Sequence, residues 1–344
     1  MKRTEINSIG EFGLIKALTE HSPIFHSETI KGVGDDAAAM DIGGEMLLLS
    51  STDMLVEGVH FDLSYTPLKH LGYKAIAVNI SDIAAMNAQP KQVLVSLAVS
   101  NRFSVEALQE LYEGIKIACQ NYKVDLVGGD TTSSRSGLVI SVTALGLAPK
   151  NKVVYRNQAK KGDILCVTGD LGAAFVGLQI LEREKQVYLA NPAMQPQLEG
   201  KDYVVKRQLR PEARMDIIYE MQDIGLQPTA MIDISDGLAS EVFHLGTQSG
   251  LGAIIYEDKM PIAQETYDTA INDLNLSPMT CALNGGEDYE LLFTIDQKDY
   301  EKIKNHPEIS TIGYMTSVEE GFRLALRQGT TVALQAQGWQ HFSS

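Results

Sequence analysis

Six knots of acidic residues, each closing an apolar segment or lying beside glycine, constrain this chain more than any other feature. They are Gly32-Val33-Gly34-Asp35-Asp36, Ser51-Thr52-Asp53, Asn79-Ile80-Ser81-Asp82, Gly128-Gly129-Asp130-Thr131-Thr132, Asp233-Ile234-Ser235-Asp236-Gly237 and Asn284-Gly285-Gly286-Glu287-Asp288. One aspartate after a strand is ordinarily a turn residue or a helix cap. Six such knots, several with Ser or Thr beside the acid, need another explanation. Asp82 is the sharpest case, an aspartate inside an amphipathic helical pattern, flanked by Ile80, Ile83 and Ala84 with few basic residues nearby.

The segments between the knots alternate strand-like and helix-like patterns. Met46 to Ser50 reads as a strand, and Thr66 with Pro67 opens a helix, threonine as N-cap and proline at the first helical position. That helix ends at Asn87 with Pro90. Gln92 to Val99 reads as a half-buried strand, Ser104 caps a helix to about Gln120, Val124 to Val127 reads as a short buried strand, and Leu138 to Leu147 as another strand. The polar, basic stretch from Pro149 to Lys161 lacks apolar periodicity and marks a boundary between domains 1–148 and 149–344. Beyond it come a strand at Ile164 to Val167, helices at Gly172 to Glu184 and Gln208 to Asp223, and a strand at Ala230 to Asp233. Ser235 is read as the cap of a further helix, and Leu291 to Ile295 as a late strand. The fold class expected is α/β with α+β-type mixed sheets, without the strict βαβ alternation of a doubly wound sheet.

A net charge of -15 argues against nucleic acid or an anionic membrane as the main partner. No apolar run is long enough to span a bilayer or to form a signal peptide, so a cytoplasmic protein is expected. Cys119, Cys166 and Cys281 are widely spaced and lie among apolar residues, which suits core positions in a reduced protein. Carboxylates and hydroxyls gathered from distant segments suit a hard cation such as Mg2+, which takes oxygen ligands and binds phosphate at the same time. Glycines beside those acids let backbone N–H groups approach phosphate oxygens. The chain has no G-x-x-x-x-G-K-[ST] loop, no H-R-D with D-F-G pair and no H-E-x-x-H. Gly32 to Ala37 formally fits G-x-G-x-x-[GA], but two aspartates would face the pyrophosphate and no useful helix follows before Gly43-Gly44.

Taken together, Gly-Val-Gly-Asp-Asp at 32–36, Ser-Thr-Asp at 51–53, Ala-Val-Asn-Ile-Ser-Asp-Ile-Ala-Ala-Met at 77–86, Gly-Gly-Asp-Thr-Thr at 128–132, Ile-Asp-Ile-Ser-Asp-Gly-Leu at 232–238 and Gly-Gly-Glu-Asp-Tyr-Glu-Leu at 285–291 resemble the thiamine-monophosphate kinase family. The likeness is collinear from Glu11-Phe12 to Trp339-Gln340-His341-Phe342. The resemblance implies a two-domain aminoimidazole ribonucleotide synthetase-like fold whose N-terminal domain pairs in a homodimer. It also implies transfer of the ATP γ-phosphate to thiamine monophosphate with several Mg2+ ions. It implies metal ligands at Asp36, Asp53, Asp82, Asp130 and Asp233, assisted by Ser51 and Thr52, with Asp236 holding a further metal. Nucleotide contacts are implied at Tyr112, Gly129, Asp130, Arg156 and Ser235, and substrate contacts at His60, Glu287 and Trp339. No protein nucleophile or base is expected.

Each assignment has a plainer counterpart. Arg156 could be a solvated charge of the basic linker, His60 a half-buried structural histidine, Trp339 a pin for the tail, and Asp35 a loop-stabilising acid. Two other functions also stay open: a different ATP-dependent member of the superfamily, such as the aminoimidazole ribonucleotide synthetase type, and a non-catalytic cation-binding protein with an acidic cleft. Selenophosphate synthesis is disfavoured, since no cysteine lies near Gly32. ATP affinity that rises with Mg2+ separates the enzymes from the cation binder.

Overall fold

Alternating burial along long strands organises the first half of the chain. The structure, a computed structural model, describes residues 8–336, and Trp339 lies outside the described residues. Helix α1 (Gly10–Thr19) is followed by strands β1 (Thr29–Lys31), β2 (Ala38–Asp41) and β3 (Met46–Val56). Next come helix α2 (Leu68–Ala85), β4 (Gln89–Val99), helix α3 (Val105–Tyr122), β5 (Asp125–Ser133) and β6 (Val139–Pro149). These strands form one sheet in the order β1-β2-β3-β6-β4-β5. Only the β4–β5 pair is parallel among its ladders. Along β3, Leu47, Leu49, Ser51 and Leu55 are buried while Thr52 and Met54 on the other face are exposed.

Helix α2 is the element that joins the two halves. Every residue from Leu71 to Ser81 is buried, so the helix is enclosed on all sides rather than seated on one surface. It touches β3, β4 and β6 of the first sheet and also β8 of the second. Its axis lies close to α3 because glycines face each other there. A Cβ on Gly72 would run into the Leu111 carbonyl, and one on Gly114 into the Lys69 carbonyl.

The second sheet is built from β7 (Ile164–Thr168), β8 (Ala230–Asp233), β9 (Leu251–Tyr256), β10 (Leu291–Ile295), β11 (Ile309–Ser317), β12 (Phe322–Ala325) and β13 (Thr331–Ala333). Their order is β13-β12-β9-β11-β7-β10-β8. Helices α4 (Ala173–Ala190), α5 (Asp202–Leu209), α6 (Met215–Asp223) and α7 (Leu238–Ser249) surround it. Period two sorts its side chains between two cores. Cys166, Met231, Leu291 and Phe293 join the core that contains α2, α3 and α6. Leu165, Val167, Ala230, Ile232 and Leu292 pack with Leu238, Val242 and Leu245 of α7. All three cysteines are buried and free. No described helix is long and apolar enough to cross a membrane.

Four local expectations need correction. Pro67, not Thr66, occupies the N-cap of α2, because its ψ of 137° is extended and the helix starts one residue later. The segment expected as a short buried strand is the exposed edge strand β5, which runs on through the glycine-acid knot itself. The helix expected from Gln208 to Asp223 is broken into α5 and α6 between Leu209 and Met215, where Pro211 cannot donate a helical hydrogen bond. Ser235 caps nothing, since α7 begins after Gly237 with no side-chain cap. Ser104, by contrast, caps α3 by accepting the Ala107 N–H at 3.2 Å.

Candidate active site

The acids converge where the two sheets meet at α2. Asp36 stands just before β2, Asp82 lies in the last turns of α2, and Asp233 ends β8. One carboxylate oxygen from each lies within 4.8 Å of the others. Neighbouring side chains hold them in place. Ser51 Oγ donates to Asp82 Oδ2, and Ser81 Oγ, fully buried on α2, donates to Asp233 Oδ2 at 2.6 Å. Asn79 Oδ1 accepts the Asp53 N–H at 3.0 Å, while its amide donates to the Ala75 carbonyl at 2.9 Å. Sequence reasoning did not single out Ser81 or Asn79, although both stand in the knot with Asp82.

So much negative charge in a buried place shifts proton affinities upward. Burial, then the charge of Asp36, raises Asp53 to about 6. The same two causes raise Asp233 to about 8, against the opposing effect of the Ser81 hydrogen bond. Asp82 is held well above its usual range by burial, then by Asp53, Asp233 and Asp36. Glu241, buried on α7, is raised by burial and then by Asp236, whose backbone N–H its carboxylate accepts at 3.2 Å.

One cation faces the cluster in a defined geometry. Arg156 clasps Asp36 with a fork, Nε to Oδ2 at 3.0 Å and Nη2 to Oδ1 at 2.6 Å. Its main chain is fixed on both sides. The Arg156 N–H donates to Asp35 Oδ1 at 3.3 Å, and its carbonyl accepts Ser249 Oγ at 3.2 Å. Asp35 also pairs with Lys31 at 3.4 Å.

A cavity of about 530 Å3 opens from the cluster. Asp53, Asp82, Asp233, Ser235 and Asp236 line one part of it. Val59, Phe61, Phe175 and Leu178 form an apolar wall, with His60, Asp62, Glu182 and Glu287 around it. His60 Nδ1 accepts the Val56 N–H at 3.0 Å, which orients the ring. Glu287 has a left-handed φ of 67°. Its carboxylate takes Lys74 Nζ at 2.8 Å and Gln208 Nε2 at 2.6 Å. Lys74 is 2% exposed and comes from α2, so this ion pair also ties the two halves together. Its signal was present in the sequence, since Lys74, Val78 and Asp82 stand four residues apart on one helix face.

Thr52, Tyr112, Gly129 and Asp130 are not brought to this cluster within one chain. Alternation turns Thr52 to the opposite face of β3, where its hydroxyl donates to the Val142 carbonyl at 3.0 Å. Tyr112, Gly129 and Asp130 line a separate shallow groove between α3 and β5. Pairing runs from Asp53 to Val142, Val95 and Gly129, so that groove lies three strands from Asp53, roughly 14 Å at ordinary strand spacing. Gly129 is required locally, as a Cβ there would run into the Val95 carbonyl.

Residues 34–148 match the family model described as AIR synthase related protein, N-terminal domain. The thiamine-monophosphate kinase of Bacillus subtilis (strain 168) is 36% identical, the alignment covering 96% of this chain and 99% of the relative. The chain belongs to the thiamine-monophosphate kinase family. The family member from Aquifex aeolicus (strain VF5) is 34% identical over 98% of this chain and 99% of its own. A solved structure described as AaThiL complexed with AMPPCP and TMP superposes with a TM-score of 0.82 at 33% identity, covering 99% of this chain and 100% of that one. The hydrogenase maturation protein HypE in complex with ATP shares the fold at 17% identity, with a TM-score of 0.67 and coverage of 98% of each chain. The mixed α/β, aminoimidazole ribonucleotide synthetase-like fold expected from the sequence is therefore the fold of this kinase family member.

Proposed function

We propose that this chain transfers the γ-phosphate of ATP to thiamine monophosphate, giving thiamine diphosphate and ADP. The observation that carries the reading is the junction of the acid cluster with a cavity of matching chemistry. The cluster suits a polyphosphate bridged by metal. The apolar wall of Phe61 and Phe175, beside the carboxylates of Asp62, Glu182 and Glu287 that Lys185 and Lys74 partly offset, suits the rings of thiamine.

The cluster fits Mg2+ as its resident ion. Three carboxylate oxygens, from Asp36, Asp82 and Asp233, lie within 4.8 Å of one another, and such hard donors suit this ion. Asp36, Asp82 and Asp233 would hold the ion, with Asp53 and Asp236 placed beside them for others. Bound there, Mg2+ would neutralise phosphate charge and help to align the two reactants. The side chains supply the rest. Ser51 and Ser81 fix the carboxylates they bond, and His60 orients substrate. Lys74 and Gln208 hold Glu287 against the cavity wall.

The acceptor explains why no base is needed. A phosphate monoester has its second pKa near about 6 and is largely dianionic at neutral pH. Its oxygen attacks without losing a proton, and the obstacle is repulsion between polyanions. Transfer is direct and in line, with no phosphorylated protein residue.

A second copy of the chain completes the site in this reading. Edge strand β5 is exposed along its whole length, with Leu126 and Val127 at 38% and 54% exposure. A homodimer formed across it would cover that edge and let Tyr112, Gly129 and Asp130 serve the nucleotide. Light scattering should then give roughly double the 37.6 kDa chain mass, and a single-chain mass would remove this part. The reaction is tested by incubation with Mg2+-ATP and either thiamine monophosphate or formylglycinamidine ribonucleotide, with products identified by mass. Thiamine diphosphate supports the reading, and its absence defeats it. A cytoplasmic location accords with the sequence.

A further inference from the structure

We infer that Arg156 is a resident counter-ion of the acid cluster, occupying Asp36 until a divalent cation takes that carboxylate and frees the guanidinium for a phosphate oxygen. The inference rests on the reading of Asp36, Asp82 and Asp233 as a metal site. Its foundation is geometric. Both oxygens of Asp36 are engaged by the Arg156 fork, at 2.6 and 3.0 Å, while Asp36 also belongs to the triad of carboxylates within 4.8 Å. The guanidinium and a bound cation would draw on the same carboxylate charge, so each weakens the hold of the other on Asp36.

The surroundings determine which part moves. The Arg156 backbone is tied at its N–H to Asp35 and at its carbonyl to Ser249, so the exchange belongs to the side chain alone. The Arg156 side chain is 18% exposed. Asp35 Oδ1 lies 3.8 Å from Nε and keeps the cation nearby after release. Without a metal, three close carboxylates repel one another, and the fork relieves part of that repulsion. With a metal present, the guanidinium becomes surplus charge beside a site for polyphosphate. Arginine suits both tasks because its planar fork matches carboxylate and phosphate alike.

The consequence is competition, and competition is measurable without turnover. Mn2+ titration by calorimetry, in the absence of nucleotide and thiamine phosphate, should show Arg156→Gln binding the ion more tightly than the parent protein. The gain expected is roughly 5- to 100-fold, the ordinary range of coupling between two ligands of one site. Removing any nearby cation would raise affinity somewhat, so the Asp36→Asn background supplies the control. If the fork is what competes, the gain from Arg156→Gln collapses there. If it persists undiminished, only general charge is at work and the inference fails. The parent protein gives an independent reading that needs no variant at Arg156. The Arg156 Nε–H resonance should shift as Mg2+ is added to the metal-free protein. An unperturbed resonance at saturating Mg2+ would overturn the exchange. Unchanged Mn2+ affinity in Arg156→Gln would overturn it equally, even if the protein makes thiamine diphosphate normally. The expected titrations in a protein that makes none would instead leave the counter-ion standing and defeat the kinase reading.

Discussion

Replacing Asp233 by asparagine should make the metal-free protein more stable and the enzyme nearly inactive. Asp233 is 3% exposed, and its carboxyl is raised from an ordinary 3.8 to about 8 by burial first and by Asp36 second. A raised carboxylate pKa means that the folded state binds the proton more tightly than the unfolded chain. No penalty exists below about pH 4, and the penalty grows as pH rises toward about 8. At pH 7 roughly three units of that interval have been crossed, a ceiling of about 4 kcal/mol at about 1.4 kcal/mol per unit. Asp53 and Asp82 share the same repulsion, so about 1–3 kcal/mol is expected for Asp233 alone. Asparagine keeps an oxygen to accept from Ser81 and removes only the charge. Thermal melts in EDTA at pH 7 should place the midpoint of Asp233→Asn above the parent, with the difference vanishing near pH 4. On the proposed metal-site reading, saturating Mg2+ should reverse the order, because only the parent would offer all three carboxylates. Turnover should fall by more than about 100-fold, beyond the loss typical of groups that merely support a ligand. A variant less stable than the parent at pH 7 in EDTA would refute the charge argument.

Three further outcomes follow from the same geometry. Lys74→Met strips Glu287 of a buried partner while Gln208 remains, so a stability loss of about 1–3 kcal/mol is expected, with most of it recovered in Lys74→Met/Glu287→Gln. Additive losses in a double-mutant cycle would show that the pair is not coupled. Trp339→Ala should raise the KM for thiamine monophosphate roughly 3- to 30-fold if the substrate contact implied by the resemblance is a cation–π one, leaving the KM for ATP nearly unchanged; equal effects on both would favour a tail-pinning role. Transfer from ATP chiral at the γ-phosphorus should invert configuration once, and retention or a trapped phosphoprotein would indicate two transfers.

The acid knots pointed to the candidate site because their chemistry is local: each acid of the cluster stands close to a glycine or a hydroxyl in the sequence. Asp36, Asp82 and Asp233 could be nominated before any fold was known, and the structure brings them together. Ser81 and Lys74 were harder to see. Ser81 stood within a knot and Lys74 on the same face as Asp82, but the burial of their helix on every side is created only by the packing of two sheets. Strand β5 was misjudged for the same reason reversed, because Leu126 and Val127 look like core residues and one chain leaves them exposed. The break between α5 and α6 was legible in Pro211, whereas the parallel pairing of β12 with β9 depends on tertiary closure that no local pattern announces.

The meeting of Gly72 with Leu111 and of Gly114 with Lys69 has a mechanical consequence. Asp82 lies ten residues from Gly72 on the same rod, about 15 Å along the axis. The site is thus calibrated from a distance, by the absence of two methyl groups rather than by the presence of any ligand. Gly72→Ala would act as a shim under one end of the rod, tilting or sliding it and carrying Asp82 out of register with Asp36 and Asp233. Such a lesion would look catalytic in an assay although the altered residue lies far from the chemistry. A compensating change would have to come from α3, the helix that carries the other half of the gauge.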